Sequence, residues 1–200
     1  MTLLVKRTLD ILLGTLLLLL LAVPMVGIAC AVRLCSPGPA LYVTMRHGRG
    51  GKPFGMLKFR TMRVATAAQS EAFRATVART GVLPKSAADP RVTRLGRWLR
   101  RSSLDELPQF MNVIAGHMAL VGPRAIMPEM LAHDPKFARD RAVVRPGITG
   151  LWQVTARHKS GSVDDMKLPD LEYIARLSLG LDLAILLRTM VVVARGDGAF

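Results

Sequence analysis

The chain has 200 residues, half of them hydrophobic, and carries 28 Lys and Arg against 14 Asp and Glu, a formal charge of +14. That hydrophobic content excludes a disordered chain, and the charge excludes an ordinary near-neutral enzyme. So basic a protein calls for an anionic partner: a membrane surface, a nucleic acid or a phosphorylated substrate. Cys30 and Cys35 are the only cysteines, too few for a disulfide framework or a zinc knuckle. They read as small apolar fillers in a reduced compartment.

The first segment belongs to a membrane. Ile11 to Val32 is a run of 22 uncharged residues, long enough to cross a hydrocarbon core of about 30 Å as a helix. A cleaved signal peptide competes, with Lys6 and Arg7 as its basic region and Ala29-Cys30-Ala31 as its cleavage site, but the apolar run is long for one. A true span competes as well. It would export one of two basic flanks, Lys6 and Arg7 or Arg33, Arg46, Arg49 and Lys52, against the positive-inside rule. Pro24 removes the N–H that would bond the carbonyl of Leu20. A helix that enters, breaks at Pro24 and returns keeps both flanks at the same headgroups. Prolines also occur in ordinary spans, so Pro24 decides little by itself. The expected organisation is a re-entrant membrane helix over residues 1–35 and a compact cytoplasmic catalytic domain over residues 36–200.

The remainder reads as mainly α with a few short strands, an α+β domain. Ser36-Pro37-Gly38-Pro39 is a rigid turn ending the membrane helix. Leu41 to Thr44 is a short strand, Arg46 to Lys52 a basic glycine loop, and Phe54 to Met62 carries Lys58 and Arg60. In a strand, those two side chains share a face. Val64 to Ala88 is a surface excursion with a weak helical pattern from Gln69 to Arg79. Val92 to Arg101 is an amphipathic helix with Val92, Leu95 and Leu99 on one side. Helices are expected over Pro108–Ala115, Pro128–Asp134, Pro135–Ala142, Pro169–Leu179 and Leu183–Ala194, and Leu151–Thr155 is strand-like. The last helix is apolar nearly all round but too short to span. It fits a core position or an interfacial one.

The chemistry centres on Asp105 and Glu106. Ser103 and Glu106 fit a capping box that would make both acids structural. Pro108 opposes that reading, because inside a regular helix its missing N–H costs a bond; the turn is either irregular or starts at Pro108. The two carboxylates also follow Arg94, Arg97, Arg100 and Arg101 in a chain poor in acids. A carboxylate beside cations and a helix start stays ionised and serves as a nucleophile, and its neighbour suits a divalent metal that shields phosphate charge. Lys58, Arg60, Arg124 and Arg145 lie on strands or on Pro/Gly turns that suit oxyanion recognition, although any one of them alone fits a solvated surface arginine or lysine. The four histidines have no zinc spacing. There is no Walker A sequence and no G-x-G-x-x-G.

In order, these motifs resemble the bacterial sugar transferase family, the monotopic polyprenyl-phosphate phosphoglycosyl transferases. The resemblance runs through Lys6-Arg7-x-x-Asp10, Ser36-Pro37-Gly38-Pro39 and Lys58-Phe59-Arg60-Thr61-Met62. It continues with Asp89-Pro90-Arg91-x-Thr93-x-x-Gly96, Ser103 to Gln109, Asn112-Val113, Val121-Gly122-Pro123-Arg124, and Arg145 to Gly150 with Gln153. It implies transfer of a sugar-1-phosphate from a UDP-sugar to undecaprenyl phosphate with release of UMP. Asp105 would be the nucleophile of a phosphosugar-aspartyl intermediate, and Glu106 would assist, both carboxylates at a Mg²⁺ ion. The same resemblance implies substrate phosphate contacts from Lys58, Arg60, Arg91, Arg124, Arg145 and Gln153, and a membrane anchor built on Lys6, Arg7, Asp10 and Pro24. The setting would be the bacterial inner membrane, with membrane lipid as a partner, the catalytic domain on the cytoplasmic face and exopolysaccharide synthesis as the destination. No nucleic acid is expected, and a homodimer stays open.

Several positions depart from the family pattern: Met45, Val23 before Pro24, His117 and Ala119 in Gly116 to Ala119, and Ala125 after Arg124. None of them touches the dyad. The ending Gly198-Ala199-Phe200 is similar to the hexose-1-phosphate transferases. Two other classes compete: a membrane-tethered nucleic-acid binder using the arginines of residues 91–101, and a non-catalytic scaffold of a glycan assembly complex.

Overall fold

The computed structural model describes residues 3–80, 82, 89–156 and 162–195. Helix α1 (Leu3–Cys35) continues through Pro24, so the break expected there is absent. Only the carbonyl of Leu20 loses its partner N–H, and a helix tolerates that loss at one turn. One stripe of α1 lies against the rest of the molecule along its whole length: Lys6, Asp10, Gly14 and Val32 are buried, and Leu18, Leu21, Met25 and Ile28 are half-buried. Their three- and four-residue spacing is one helical face. The opposite face, with Leu12, Leu16, Leu19, Leu20 and Val23, is exposed apolar surface. Cys30 and Cys35 are exposed too; they fill no core, because they lie off the packed stripe.

Strands β1 (Leu41–His47) and β2 (Pro53–Phe59) form an antiparallel hairpin in which Tyr42 pairs with Lys58 and Arg46 with Phe54. The expected basic loop shrinks to a turn over Arg49–Gly51, where Gly50 and Gly51 have φ of 67° and 77°, a region open to glycine. Helix α2 (Ala67–Thr80) is less superficial than its composition suggests, since Val77 is fully buried and packs with Phe73, Ile126 and Met130. Helix α3 (Arg94–Arg101) starts after Val92, which forms a bridge with Met62, and is capped by Thr93 Oγ1 accepting from the Gly96 N–H at 2.9 Å. A Cβ on Gly96 would lie 2.0 Å from the Thr61 carbonyl oxygen, so only glycine lets α3 approach the chain after β2.

A 3-10 turn over Leu104–Glu106 leads into α4 (Gln109–Ile114), with Pro108 as its N-cap. Beyond it, β3 (Ala119–Val121) pairs in parallel with β4 (Gly147–Thr149), and helices α5 (Pro128–Leu131) and α6 (Pro135–Arg141) lie between them. The strand-like Leu151–Thr155 is helix α7. Its Trp152 and Ala156 point together into the core at helical spacing, so tertiary burial overrides the β preference of Trp, Val and Thr. Helix α8 (Val163–Ala175) begins well before the expected Pro169. Ser162 caps it by accepting from the Asp165 N–H, and Asp164 and Asp165 occupy the first turn. Helix α9 (Leu179–Arg195) takes a core position through the buried Ile185, whereas Leu183, Leu187, Met190 and Val191 form an exposed apolar stripe.

The motif at the start of α1 fastens it to this domain. Lys6 Nζ donates to Asp182 Oδ2 at 2.7 Å and lies 3.7 Å from Asp10. Asp10 accepts the Leu120 N–H at 3.1 Å, and the Tyr173 hydroxyl donates to Asp182 at 2.8 Å. The Arg7 guanidinium donates to the carbonyls of Ile114 and Met118. At the far end, Met25, Ile28, Ala29 and Val32 pack with Phe59, Leu95 and Leu99. Removing one partner of a buried ion pair strands the other. Asp182→Ala should therefore destabilise the protein by about 3 kcal/mol, Asp10 offsetting part of the loss. Thermal unfolding in detergent checks this, with a melting temperature lower by roughly 6–12 °C.

Candidate active site

The route into the dyad is set by Ser103, which adopts a left-handed conformation at φ 56°, at a cost of about 1 kcal/mol for a non-glycine residue. It makes no side-chain cap, so the capping box of Ser103 and Glu106 does not form. Its backbone reverses the chain after α3 and turns the next residues toward β2. There Lys58 Nζ donates to Glu106 Oε1 at 2.6 Å and lies 3.8 Å from Asp105 Oδ2. Asp105 is only 8% exposed, one turn before the start of α4, where the helix dipole favours an anion.

Lys58 is held in register by a residue of α4. Asn112 accepts the Leu57 N–H and donates to the Gly55 carbonyl, both at 2.8 Å, clamping the edge of β2 beside the dyad. On the other side, Arg100 donates to Thr61 Oγ1 at 2.9 Å and is drawn electrostatically to Asp105. Asn112 is a positioning residue that side-chain chemistry alone did not single out, although an Asn inside a helix is a faint signal of such a clamp.

Other predicted site residues are distributed differently. Arg60 leaves the face of Lys58, because β2 ends at Phe59, and its guanidinium donates to the carbonyls of Ser36, Pro37 and Gly38. It closes the turn after α1. Arg91 forms a fork with Asp89, with contacts of 2.6–3.1 Å. Arg124 lies over the Trp152 ring at 5.4 Å. Its backbone is fixed by a pair that sequence reading missed: Arg141 donates to Asp170 at 2.8 Å and to the Arg124 carbonyl, while Asp170 accepts the Arg124 N–H. Gln153 is buried with Oε1 unpartnered. Arg145 lies away from the dyad, donating to the Gly116 carbonyl at 2.8 Å beside Arg7 and Arg49.

Arg46 was read only as part of a basic loop, yet it belongs here. It projects from β1 among Arg124, Glu106 and Glu129, and its Nε and Nη1 atoms are buried without hydrogen-bond partners. Burial and the neighbouring Arg124 lower its pKa to about 10. Glu129 Oε2 and Trp152 Nε1 are also buried and unpartnered. Buried donors and acceptors are normally satisfied, so this side of the dyad is built to receive a polar ligand, and its paired cations suit an anionic one. Among the described residues no group of three or more His, Cys, Asp or Glu side chains gathers. Two adjacent carboxylates do fit the usual way Mg²⁺ is held, with phosphate oxygens and water completing the shell.

The buried Asp105 and its neighbour Glu106 thus lie beside Lys58, with Arg46 near Glu106, in a domain that carries a long apolar helix. The model of the bacterial sugar transferase family matches residues 1–196, and the chain belongs to that family. It is 40% identical over 197 residues to the UDP-glucose:undecaprenyl-phosphate glucose-1-phosphate transferase of Escherichia coli (strain K12), covering 94% of this chain and 39% of that protein. A protein of the same name from Caulobacter vibrioides is 41% identical over 208 residues, covering 98% of this chain and 72% of its own. The undecaprenyl-phosphate galactose phosphotransferase of Salmonella typhimurium is 37% identical over 202 residues, covering 98% and 41%. The chain thus spans less than half the length of two of these relatives.

Two buried guanidinium nitrogens of Arg46 without hydrogen-bond partners cost stability in the absence of a ligand. Arg46→Met should therefore leave the melting temperature of the ligand-free protein unchanged or raised, while weakening retention of a UDP-sugar. Thermal unfolding with and without donor checks both; a large fall in the ligand-free melting temperature would mean that Arg46 is paired.

Proposed function

We propose that the protein transfers a sugar-1-phosphate from a UDP-sugar to undecaprenyl phosphate and releases UMP. The observation that carries this reading is the buried Asp105 beside Lys58 and Glu106, in a chain whose relatives bear the names of such transferases. Asp105 attacks the β-phosphorus of the donor; the bond from that phosphorus to the bridging oxygen breaks, and UMP departs with the electron pair. An oxygen of the lipid phosphate then attacks the phosphosugar-aspartyl intermediate, and the Asp105 carboxylate leaves. Lys58 offsets the repulsion between the attacking carboxylate and the diphosphate, and Arg46 and Arg124 take its non-bridging oxygens. Asp105 and Glu106 are the residues that would hold a Mg²⁺ ion, which would supply further screening of phosphate charge.

Asn112 and Ser103 keep the dyad against Lys58, and the Arg141–Asp170 pair keeps Arg124 on its turn. The names of the glucose-1-phosphate and galactose phosphotransferase relatives support glucose or galactose as the donor sugar. Contacts at both ends of the unbroken α1 support an arrangement that does not cross the bilayer, with both ends at one leaflet and the outer apolar face in lipid. The setting is then the cytoplasmic side of the bacterial inner membrane, where a soluble donor meets a lipid phosphate at the start of exopolysaccharide synthesis.

The test is UMP release by purified protein in nanodiscs, given undecaprenyl phosphate, Mg²⁺ and a panel of UDP-sugars. The reading expects UMP from one donor, no release above background from Asp105→Asn, loss on chelation of Mg²⁺, and a fall on the order of 10²-fold for Lys58→Met. UDP as the product would mean ordinary glycosyl transfer. No product from folded protein with any donor would favour a non-catalytic scaffold.

A further inference from the structure

We propose that Arg7, Arg49 and Arg145 form a binding site for the phosphate of an anionic phospholipid at the N-terminal end of α1. Leu3, Lys6, Arg7, Asp10, Arg49 and Arg145 line one shallow pocket. Its lysine is already committed, because Lys6 pairs with Asp182 and Asp10. Those two carboxylates leave one negative charge to offset three guanidiniums, so the pocket carries an excess of positive charge. Burial and the proximity of Arg7 and Arg49 hold the Arg145 guanidinium below its usual range.

Two of the three guanidiniums are fixed before any ligand arrives, and the third hangs from a fixed turn. Arg7 donates to the carbonyls of Ile114 and Met118, and Arg145 donates to that of Gly116. Arg49 sits on the hairpin turn that the Gly50 N–H pins to the Ala142 carbonyl at 2.8 Å. Each arginine or its backbone is tied from one side, a preorganised arrangement for an oxyanion.

The lipid source follows from position. Leu3 lines the same pocket, and Leu4, 75% exposed, begins the outer apolar face of α1, so a phosphate bound here lies at headgroup depth with its acyl chains beside that face. The site is separate from the dyad: Ile114 ends α4 and the dyad precedes its start, with six residues of helix, about 9 Å, between them. A phosphate at this pocket is too far to attack a phosphosugar on Asp105. The site therefore takes a bulk anionic lipid rather than the acceptor. The inference rests on the membrane reading of α1 and is independent of the reaction.

The experiment is flotation of the full chain with vesicles of phosphatidylcholine, with and without phosphatidylglycerol, at fixed ionic strength. Wild type should bind the phosphatidylglycerol vesicles preferentially, and Arg49→Gln should lose more of that preference than the roughly fivefold that one basic residue near an anionic leaflet contributes. Arg33→Gln, at the opposite end of α1, should lose no more than about that fivefold. Millimolar inorganic phosphate should not displace the protein, and Arg49→Gln should release UMP normally in phosphatidylcholine nanodiscs. Equal losses for Arg33→Gln and Arg49→Gln would reduce the site to general surface charge and overturn it. Displacement by inorganic phosphate would assign it to a soluble anion, and association without any preference would overturn the site alone. Failure to associate with either vesicle would overturn the membrane reading of α1 and this site with it.

Discussion

The Lys6 ammonium, buried between Asp182 and Asp10, is the contact on which the rest of the arrangement depends. It ties the first turns of an apolar helix to α9, while Asp10 reaches the start of β3 and Tyr173 brings in α8. A charge removed from water needs partners of good geometry; here two carboxylates, from α1 and α9, supply them and are themselves held by β3 and α8. The helix cannot leave the domain at this end without exposing that whole cluster. Since α1 also packs through Val32 against Phe59 and Leu99, its direction across the domain is settled at both ends.

That direction shapes the chemistry. The Val32 end of α1 packs on the elements that flank the dyad: β2 carrying Lys58, α3 carrying Arg100, and the turn carrying Asp105 and Glu106. Arg60 closes the exit from the helix by holding three carbonyls of the Ser36–Gly38 turn. The polar centre therefore lies beside the same helix whose outer face is exposed and apolar, which is the geometry that the proposed transfer from a water-soluble donor to a lipid-borne phosphate requires. Arg46 and Arg124 add positive charge near Glu106, and two nitrogens of Arg46 are among the unpartnered polar atoms.

Much of this was legible from residues alone. The mainly helical class, the strand at Leu41 to Thr44 and the apolar first helix rest on periodicity and on Pro and Gly punctuation; Asp105 and Glu106 stand out as scarce acids among arginines, and folding brings both to Lys58. What stayed hidden depends on distant partners. Arg60 looks like the twin of Lys58, but a strand ending one residue earlier turns it to a different task. Leu151 to Thr155 has strand-forming side chains and is helical because Trp152 and Ala156 share a core. Pro24 carries a breaking signal that α1 absorbs. Asp170, Tyr173 and Asp182 are ordinary acids and an ordinary tyrosine until folding buries them against Arg141 and Lys6, and no local pattern announces such pairings. Arg145 was grouped with the phosphate-binding arginines, yet the parallel pairing of β3 with β4 carries it to the other end of α4.

The central claim is that α1 lies across the domain with both ends on one side of the membrane. Its most direct test is labelling of single cysteines, Thr2→Cys and native Cys35 each in a chain whose other cysteines are Ser, with an impermeant maleimide in spheroplasts and in inverted vesicles. The account predicts that both positions react in inverted vesicles and neither in spheroplasts. Labelling of the two positions from opposite sides would establish a span and contradict it.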